Sequence, residues 1–258
     1  MARAFSSSTH NLRTSGGALA YAPTFDGTIS IWINPAWNAG DSAQHVFWQY
    51  NTSGTSSFIS FQKFSDNKIY VGQFLSTVDI RISVNDTALF SSGVWANWIY
   101  DWSDAANTQT IYRNNSSVGS RSTTFSTAVT AHNEFTLGNQ GSAFTQVNCN
   151  SRLAEYGEWN VVLTAGERAA LAAGVSPLLV RPSNLKRYRP LSGFVTPEND
   201  WVAGDALTVT SAASYPHPRV IMPRRRRMNV ASVVVPPTFK SAWAVNANSI
   251  MQPGNGTT

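Results

Sequence analysis

The residues best suited to chemistry are two glutamates, Glu155 and Glu158, in the run Arg152–Trp159. A glycosidase needs two carboxylates facing one sugar, about 5–5.5 Å apart in a retaining enzyme. A spacing of three along a strand sends the two side chains to opposite faces, so this pair fails the requirement. Asp101 and Asp104 share the odd spacing or end in a turn. The chain has no G-x-S-x-G elbow, and its single cysteine, Cys149, lacks neighbours that would activate a thiol. One cysteine also excludes an intramolecular disulfide and a multi-cysteine zinc cage. No catalytic residue is expected, and the chain reads as a non-enzyme.

Metal signals are thin. His10, His45, His132 and His217 are scattered without H-E-x-x-H spacing and read as ordinary polar residues of the surface or of a strap. Asp26, Asp41 and Asp79 carry oxygens of the calcium-binding type, yet no dense acidic loop gathers them. The expectation is no metal and no cofactor, with a structural calcium as the one open option. Sugar binding asks for less: an aromatic ring flanked by orienting amides. Trp37 and Asn38, in the loop Pro35–Asp41, are the first candidates, and Tyr50 and Asn51 the second. The competing use of such rings is to fill a core between sheets or a protein interface.

The elements that must position these residues are strands. Thr28–Asn34 alternates Ile29, Ile31 and Ile33 with Ser30, Trp32 and Asn34, and Val78–Val84 alternates four aliphatics with Asp79, Arg81 and Ser83. Similar runs occur at His45–Tyr50, Phe58–Phe64, Lys68–Phe74, Trp95–Trp102, Gln109–Arg113, Glu134–Gly138 and Arg152–Trp159. Several carry large apolar groups on both faces, which suits strands in two stacked antiparallel sheets. One helix is expected after Thr164, where Thr164 and Glu167 form a capping box and Gly174 supplies the stop. Prolines then punctuate residues 177–223, read as a strap packing on the sandwich through Leu178, Leu179, Tyr188, Leu191 and Trp201. The domain reading is a sandwich over 1–176, the strap, and a basic extended arm over 224–258.

Composition agrees. Of 258 residues only 13% are charged while 12% are aromatic, which excludes a disordered chain, a coiled coil and a salt-bridged helical bundle. The net charge of +5 is uneven: residues 181–258 carry ten Lys and Arg against three Asp and Glu. The basicity thus belongs to the C-terminal third, which argues against a specific nucleic-acid surface. The arm has the ingredients of a partner contact: Arg224, Arg225, Arg226 and Arg227 for an acidic surface, Val234 within Val233–Val235 for strand addition, and Phe239 and Trp243 as anchors. No run approaches the ~18 apolar residues of a membrane span, and the first residues do not read as a secretory signal, so assembly inside a cell is expected.

Three stretches together resemble a known family. Thr28-Ile29-Ser30-Ile31-Trp32-Ile33-Asn34-Pro35 is similar to one strand of laminin-G-like, concanavalin A-type domains. Trp95–Tyr100 with Thr110–Asn115 resembles its strand pair, with Asn114-Asn115 where the family often has Asn-Gly. Phe135–Gly138, Arg152–Asn160 and Leu163–Glu167 resemble its closing strands and helix start. The resemblance covers roughly residues 1–176 and implies an all-β, two-sheet antiparallel jelly-roll-like sandwich. It hosts lectins, glycosidases and structural modules alike, so the site must decide function. The E-x-D-x-x-E strand of its glucan-hydrolysing relatives is missing here. Arg181-Pro182, Tyr188 and Pro190-Leu191 also resemble segments that follow such domains in bacteriophage proteins. That second resemblance implies a capsid-decorating or other particle-surface protein located in the virion. Its partners would be other virion proteins, foremost the major capsid protein, with a homo-oligomer or a surface glycan as further options. The alternative it leaves is a carbohydrate-binding adhesin or lectin.

Overall fold

Alternation places strands where the sequence asks for them, and the ladder register puts the alternating aliphatics between two sheets. The structure, a computed structural model, describes residues 2–7, 9–14, 19, 23, 25–51, 57–75, 78–123, 132–140, 147–218, 220 and 221, which belong to one compact unit, Met1–Pro223. The arm residues singled out above, Arg224–Arg227, Val234, Phe239 and Trp243, lie outside the described residues.

In chain order the strands are β1 (Ala2–Phe5), β2 (Asn11–Thr14), β3 (Asp26–Pro35), β4 (His45–Asn51), β5 (Ser57–Lys63) and β6 (Lys68–Leu75). Next come β7 (Val78–Asp79), β8 (Ile82–Asn85), β9 (Ala96–Ser103), β10 (Thr108–Arg113), β11 (Ser116–Ser122), β12 (Glu134–Leu137) and β13 (Ser151–Trp159). After helix α1 (Ala165–Ala172) follow β14 (Leu185–Arg189), β15 (Glu198–Asn199), β16 (Ala206–Thr210) and β17 (Ala213–Tyr215). One sheet runs β11-β10-β9-β3-β13-β1-β17, with β14 also on β13, and the other runs β15-β16-β2-β12-β4-β5-β6-β7, with β8 on β6. We call them sheet A and sheet B.

Ile29, Ile31, Ile33, Trp98, Tyr100, Leu153 and Tyr156 of sheet A meet Trp48, Tyr50, Ile59, Phe61, Ile69, Val71 and Phe135 of sheet B in the main core. A smaller core lies on the outer side of sheet A. There Ile99, Trp159 and Tyr188 pack with Leu163, Leu171, Val180 and Leu185 under α1. The helix starts as its capping box requires: the Thr164 hydroxyl accepts from the Glu167 N–H at 3.3 Å, and the Glu167 carboxylate accepts from the Thr164 N–H at 2.8 Å.

Two local readings change. The alternation Val78–Val84 is not one strand, because residues 80 and 81 leave the ladder between β7 and β8, and Val78 is exposed. Residues 177–221 do more than lie over the sandwich: β14 pairs with β13, β15–β16 extend sheet B beside β2, and β17 pairs with β1. Trp201 and Leu179, expected as packing residues, are exposed, whereas Tyr188 and Leu191 are buried.

What fastens this segment is a pair of fully buried arginines, Arg187 and Arg189. Arg187 reaches from β14 across the core to the Tyr50 hydroxyl on β4, lies 3.6 Å from Glu158 on β13, and donates to Asp200 and Asp205 at 3.1 Å each. Arg189 donates to Asp205 at 2.6 Å and to the Glu198 carbonyl at 2.9 Å. Burial pushes the Glu158 carboxyl up to about 7, opposed by Arg187 and by hydrogen bonds from Tyr50 and Tyr156. Removing one partner of such a network leaves uncompensated buried charge, at a cost of about 3–5 kcal/mol. Arg187→Leu should lower the unfolding free energy by that amount in urea titration. Arg181→Ala, which breaks the part-exposed pair with Glu167, should cost under about 1 kcal/mol. Equal midpoints for the two variants would refute the clamp.

Candidate functional site

On one side of β13 the partner strand changes from β1 to β14, with Arg152 and Leu153 paired to β1 and Tyr156–Trp159 to β14. The ladder to β3 on the other side slips between Ala154 and Gly157. Glu155 is the residue at this fork, and its φ of 51° is in the left-handed region that a non-glycine residue seldom adopts. Bulges of this kind re-aim a side chain out of the strand's alternation. The Glu155 carboxylate accepts from the Tyr188 hydroxyl at 2.8 Å and meets His217 Nε2 at 3.0 Å. It is 3% exposed, at the floor of a cleft of about 320 Å3 lined by Pro190, Ser192, Trp201, His217, Pro218 and Val220.

Trp201 forms the wall. It is 56% exposed, an unusual state for a large aromatic ring, and stands edge-on to Tyr188 at 5.6 Å. Its backbone is fixed rather than free. The Asp200 carboxylate accepts from the N–H groups of Tyr188, Val202 and Ala203 at 2.8–3.1 Å, and its other oxygen takes Arg187. The Trp201 N–H donates to the Tyr188 carbonyl at 2.9 Å. The cleft therefore combines a rigid apolar face, a carboxylate acceptor and an imidazole, the elements that grip a polyhydroxylated ring.

The residues expected to bind sugar from the sequence are elsewhere. Trp37 is only 7% exposed: it stacks on His45 at 4.0 Å and donates through Nε1 to the Cys149 carbonyl at 3.1 Å. Tyr50 and Asn51 are fully buried, Tyr50 within the arginine network and Asn51 against Glu134 at 3.1 Å. Asn38 alone is exposed, and its amide oxygen accepts from the Ser92 N–H. These four do not form a platform, because the rings fill the core instead.

Nor do the candidate calcium acids converge. Asp41 is bound by His45 at 2.6 Å and by the buried Lys63 ammonium, which also donates to Asn67 and the Ala43 carbonyl at 3.1 Å and lies 3.7 Å from Asp86. Burial alone would raise the Asp41 carboxyl, but these hydrogen bonds hold it below the usual range. Asp79 is engaged by Arg81, and Asp26 accepts from the Asp104 N–H. Where a cation would sit near Asp41, the chain supplies its own ammonium. Cys149 is buried, and burial pushes its thiol up to about 12, so it is inert as the sequence context suggested.

Glu155 and Glu158 do diverge, Glu155 to the outer cleft and Glu158 to the inter-sheet network with Tyr50 and Tyr156. Asp101 is tied to Thr28 at 2.7 Å and Arg168 at 2.8 Å. Two histidines read as surface or strap groups are buried, His45 against Trp37 and His132 edge-on to Tyr50 at 5.6 Å.

The model of the concanavalin A-like lectin/glucanases superfamily matches residues 6–167, more than half of the chain. The chain belongs to that family. The match includes Glu155 but not Trp201 or His217, so the cleft is built jointly by the family sandwich and the segment after it. Among solved structures, a candidate carbohydrate-binding protein from Bacteroides ovatus is similar with a TM-score of 0.60 at 14% identity, over 85% of this chain and 60% of that one. A heptameric SAP-like pentraxin from Limulus polyphemus gives 0.50 at 16% identity, over 66% and 81%. The NanB sialidase from Streptococcus pneumoniae gives 0.51 at 11% identity, with this chain spanning only 27% of its length. At such identities the likeness is one of fold. A search of curated proteins finds no match.

The buried His132 generates a pH prediction. Both of its ring nitrogens lack hydrogen-bond partners among the described residues, and burial pushes its pKa down to about 3. The neutral form is favoured on folding, so its contribution is complete above the unfolded value near 6.5 and is lost as pH falls toward 3. Glu158 and Asp101, pushed up by burial to about 7 and about 6, act in the opposite sense over part of that range, so a difference measurement is needed. Between pH 7 and pH 5, the stability of the wild type relative to His132→Phe should fall by about 2 kcal/mol. Parallel stability–pH curves for the two would refute it.

Proposed function

We propose that this chain is a non-catalytic carbohydrate-binding sandwich, with its ligand in the cleft at the Glu155 fork. The observation that carries the reading is the open Trp201 ring, on a hydrogen-bonded backbone, lining the same cleft as a nearly buried carboxylate. A sugar's C–H face would pack on the indole, and its hydroxyls would donate to Glu155, which His217 holds in place, and pair with Ser192. Membership of a lectin/glucanase family and the likeness to a candidate carbohydrate-binding protein favour this class over a purely structural one. Binding rather than hydrolysis is favoured because Glu155 is the one carboxylate among the described lining residues. A second acid about 5–5.5 Å away is what a retaining hydrolase would add. Display on a virion surface is compatible with this activity and rests on the sequence resemblance alone.

The test is affinity gel electrophoresis in a β-glucan, an α-mannan, a xylan and a galactan. At least one should retard the wild-type chain without release of new reducing ends. Trp201→Ala removes a binding anchor worth about 2 kcal/mol, a weakening of roughly thirtyfold. It should melt like the wild type, because the ring is mostly exposed. Glu155→Gln keeps the shape and should weaken binding less. Undiminished retardation of Trp201→Ala would overturn the assignment of the cleft, and release of reducing ends would overturn the non-catalytic reading.

A further inference from the structure

The Glu155 cleft opens on the outer side of sheet A. Its β13 neighbours Leu153 and Tyr156 point into the main core, while Tyr188, which binds Glu155, belongs to the cluster under α1. A second concavity, of about 340 Å3, is lined by Phe64, Ser65, Asp66, Tyr70, Asp79 and Arg81. Ile69 and Val71 of β6 point into the main core, so Tyr70 between them projects from the outer side of sheet B. Both cavities fall at the lower end of the size range of small-ligand sites, and they face away from each other.

The second cavity is built around the break between β7 and β8. Where residues 80 and 81 leave the ladder, Arg81 turns over the outside of the sheet. Its guanidinium lies 4.8 Å from the centre of Tyr70, 5.3 Å from Phe74, 5.5 Å from Phe64 and 5.6 Å from Phe58. Asp79 takes its Nε at 2.9 Å and one terminal nitrogen at 2.6 Å. The other, Nη1, is buried without a hydrogen-bond partner among the described residues, on a side chain that is 9% exposed. Asp66 holds the Tyr70 hydroxyl at 2.8 Å, and Phe64 stands edge-on to Tyr70 at 5.1 Å. Asp66 and Asp79 are balanced by Arg81 and by Arg121, whose guanidinium donates to the Arg81 carbonyl at 2.8 Å and acts on Asp79, so no excess charge draws an ionic ligand. Half-exposed Tyr70 and Phe64 beside carboxylate acceptors fit a neutral, polyhydroxylated one.

We propose that this cavity is a second carbohydrate site. A single sandwich then holds two neutral glycan chains, one on each outer face, and cross-links them without self-association. The inference rests on the carbohydrate-binding reading of the Glu155 cleft, and the experiment separates the two. Wild type, Trp201→Ala, Tyr70→Ala, Asp66→Ala and the double variant Trp201→Ala/Tyr70→Ala are run in the same four polysaccharide gels. Turbidity of their mixtures with each soluble polysaccharide is followed in parallel. Sedimentation equilibrium gives the ligand-free state, and Asp66→Ala, an exposed turn residue, covers the case in which Tyr70→Ala misfolds.

The wild type should both be retarded and precipitate a polysaccharide. Each single variant should keep at least part of the retardation and lose precipitation, and the double variant should lose both. Precipitation undiminished in both Tyr70→Ala and Asp66→Ala would overturn the second site, including the case in which a dimer does the cross-linking. Complete loss of retardation in Trp201→Ala alone would overturn bivalency while leaving the single-cleft reading intact. No retardation of the wild type in any gel would remove the carbohydrate reading itself.

Discussion

Much of this molecule depends on one solvation problem: the Arg187 guanidinium is in the middle of the protein with no access to water. A buried cation is tolerated only if acceptors replace its hydration, and here four residues from three separate parts of the chain supply them. Tyr50 faces it from sheet B, Glu158 from sheet A, and Asp200 and Asp205 from the connection after β15. Satisfying the charge thus forces β14 against β13 and pulls the 200–205 loop down beside it. That same loop carries Trp201. The exposed ring and the buried guanidinium are two ends of one lever, since the Asp200 carboxylate binds Arg187 with one oxygen and the backbone around Trp201 with the other.

How much of this was legible in the sequence follows from what each element buries. Strands such as β3, β5 and β9 bury aliphatic and aromatic groups at a period of two, and the alternation exposes them. The helix was legible from Thr164, Glu167 and Gly174 because caps act locally. β14 was not, since its fully buried positions include Arg187 and Arg189, and hydrophobic patterning carries no sign of a buried charge pair. The β7–β8 run failed for a related reason: a regular alternation hid an arginine whose aromatic surroundings come from β5, β6 and the turn between them.

The site was legible only in pieces. Trp37 and Tyr50 have the composition of a sugar platform, and a ring beside an amide looks the same in sequence whether it faces water or a core. Glu155 drew attention as a carboxylate, and it does diverge from Glu158, but through the bulge rather than simple alternation, since Leu153 and Tyr156, also three apart, both face the core. The fork that turns it into a cleft was not foreseeable, because it arises from β1 and β14 meeting one edge of β13 from distant parts of the chain. Trp201 sits next to Asp200 and four residues before Asp205, a spacing whose meaning appears only once both acids are seen to clamp arginines.

The placement of the first strands has a consequence for how the chain folds as it is made. β1, at residues 2–5, is flanked by β13 and β17, and β2, at residues 11–14, by β12 and β16. Both are interior strands whose partners are translated more than a hundred residues later. At roughly 5–20 residues per second, the segment from β1 to β17 takes on the order of 10–40 s to emerge from the ribosome. Until β12 and β13 emerge, Ala2, Phe5 and Leu12, destined for burial, have no ladder to join. Contacts of such long sequence separation also slow folding from the denatured state, since loop closure precedes any gain from pairing. During synthesis β1 and β2 therefore stay unpaired until β12 and β13 arrive, and paired on one edge only until β16 and β17 follow, a window in which chaperone engagement or edge-to-edge aggregation competes with closure of the sandwich.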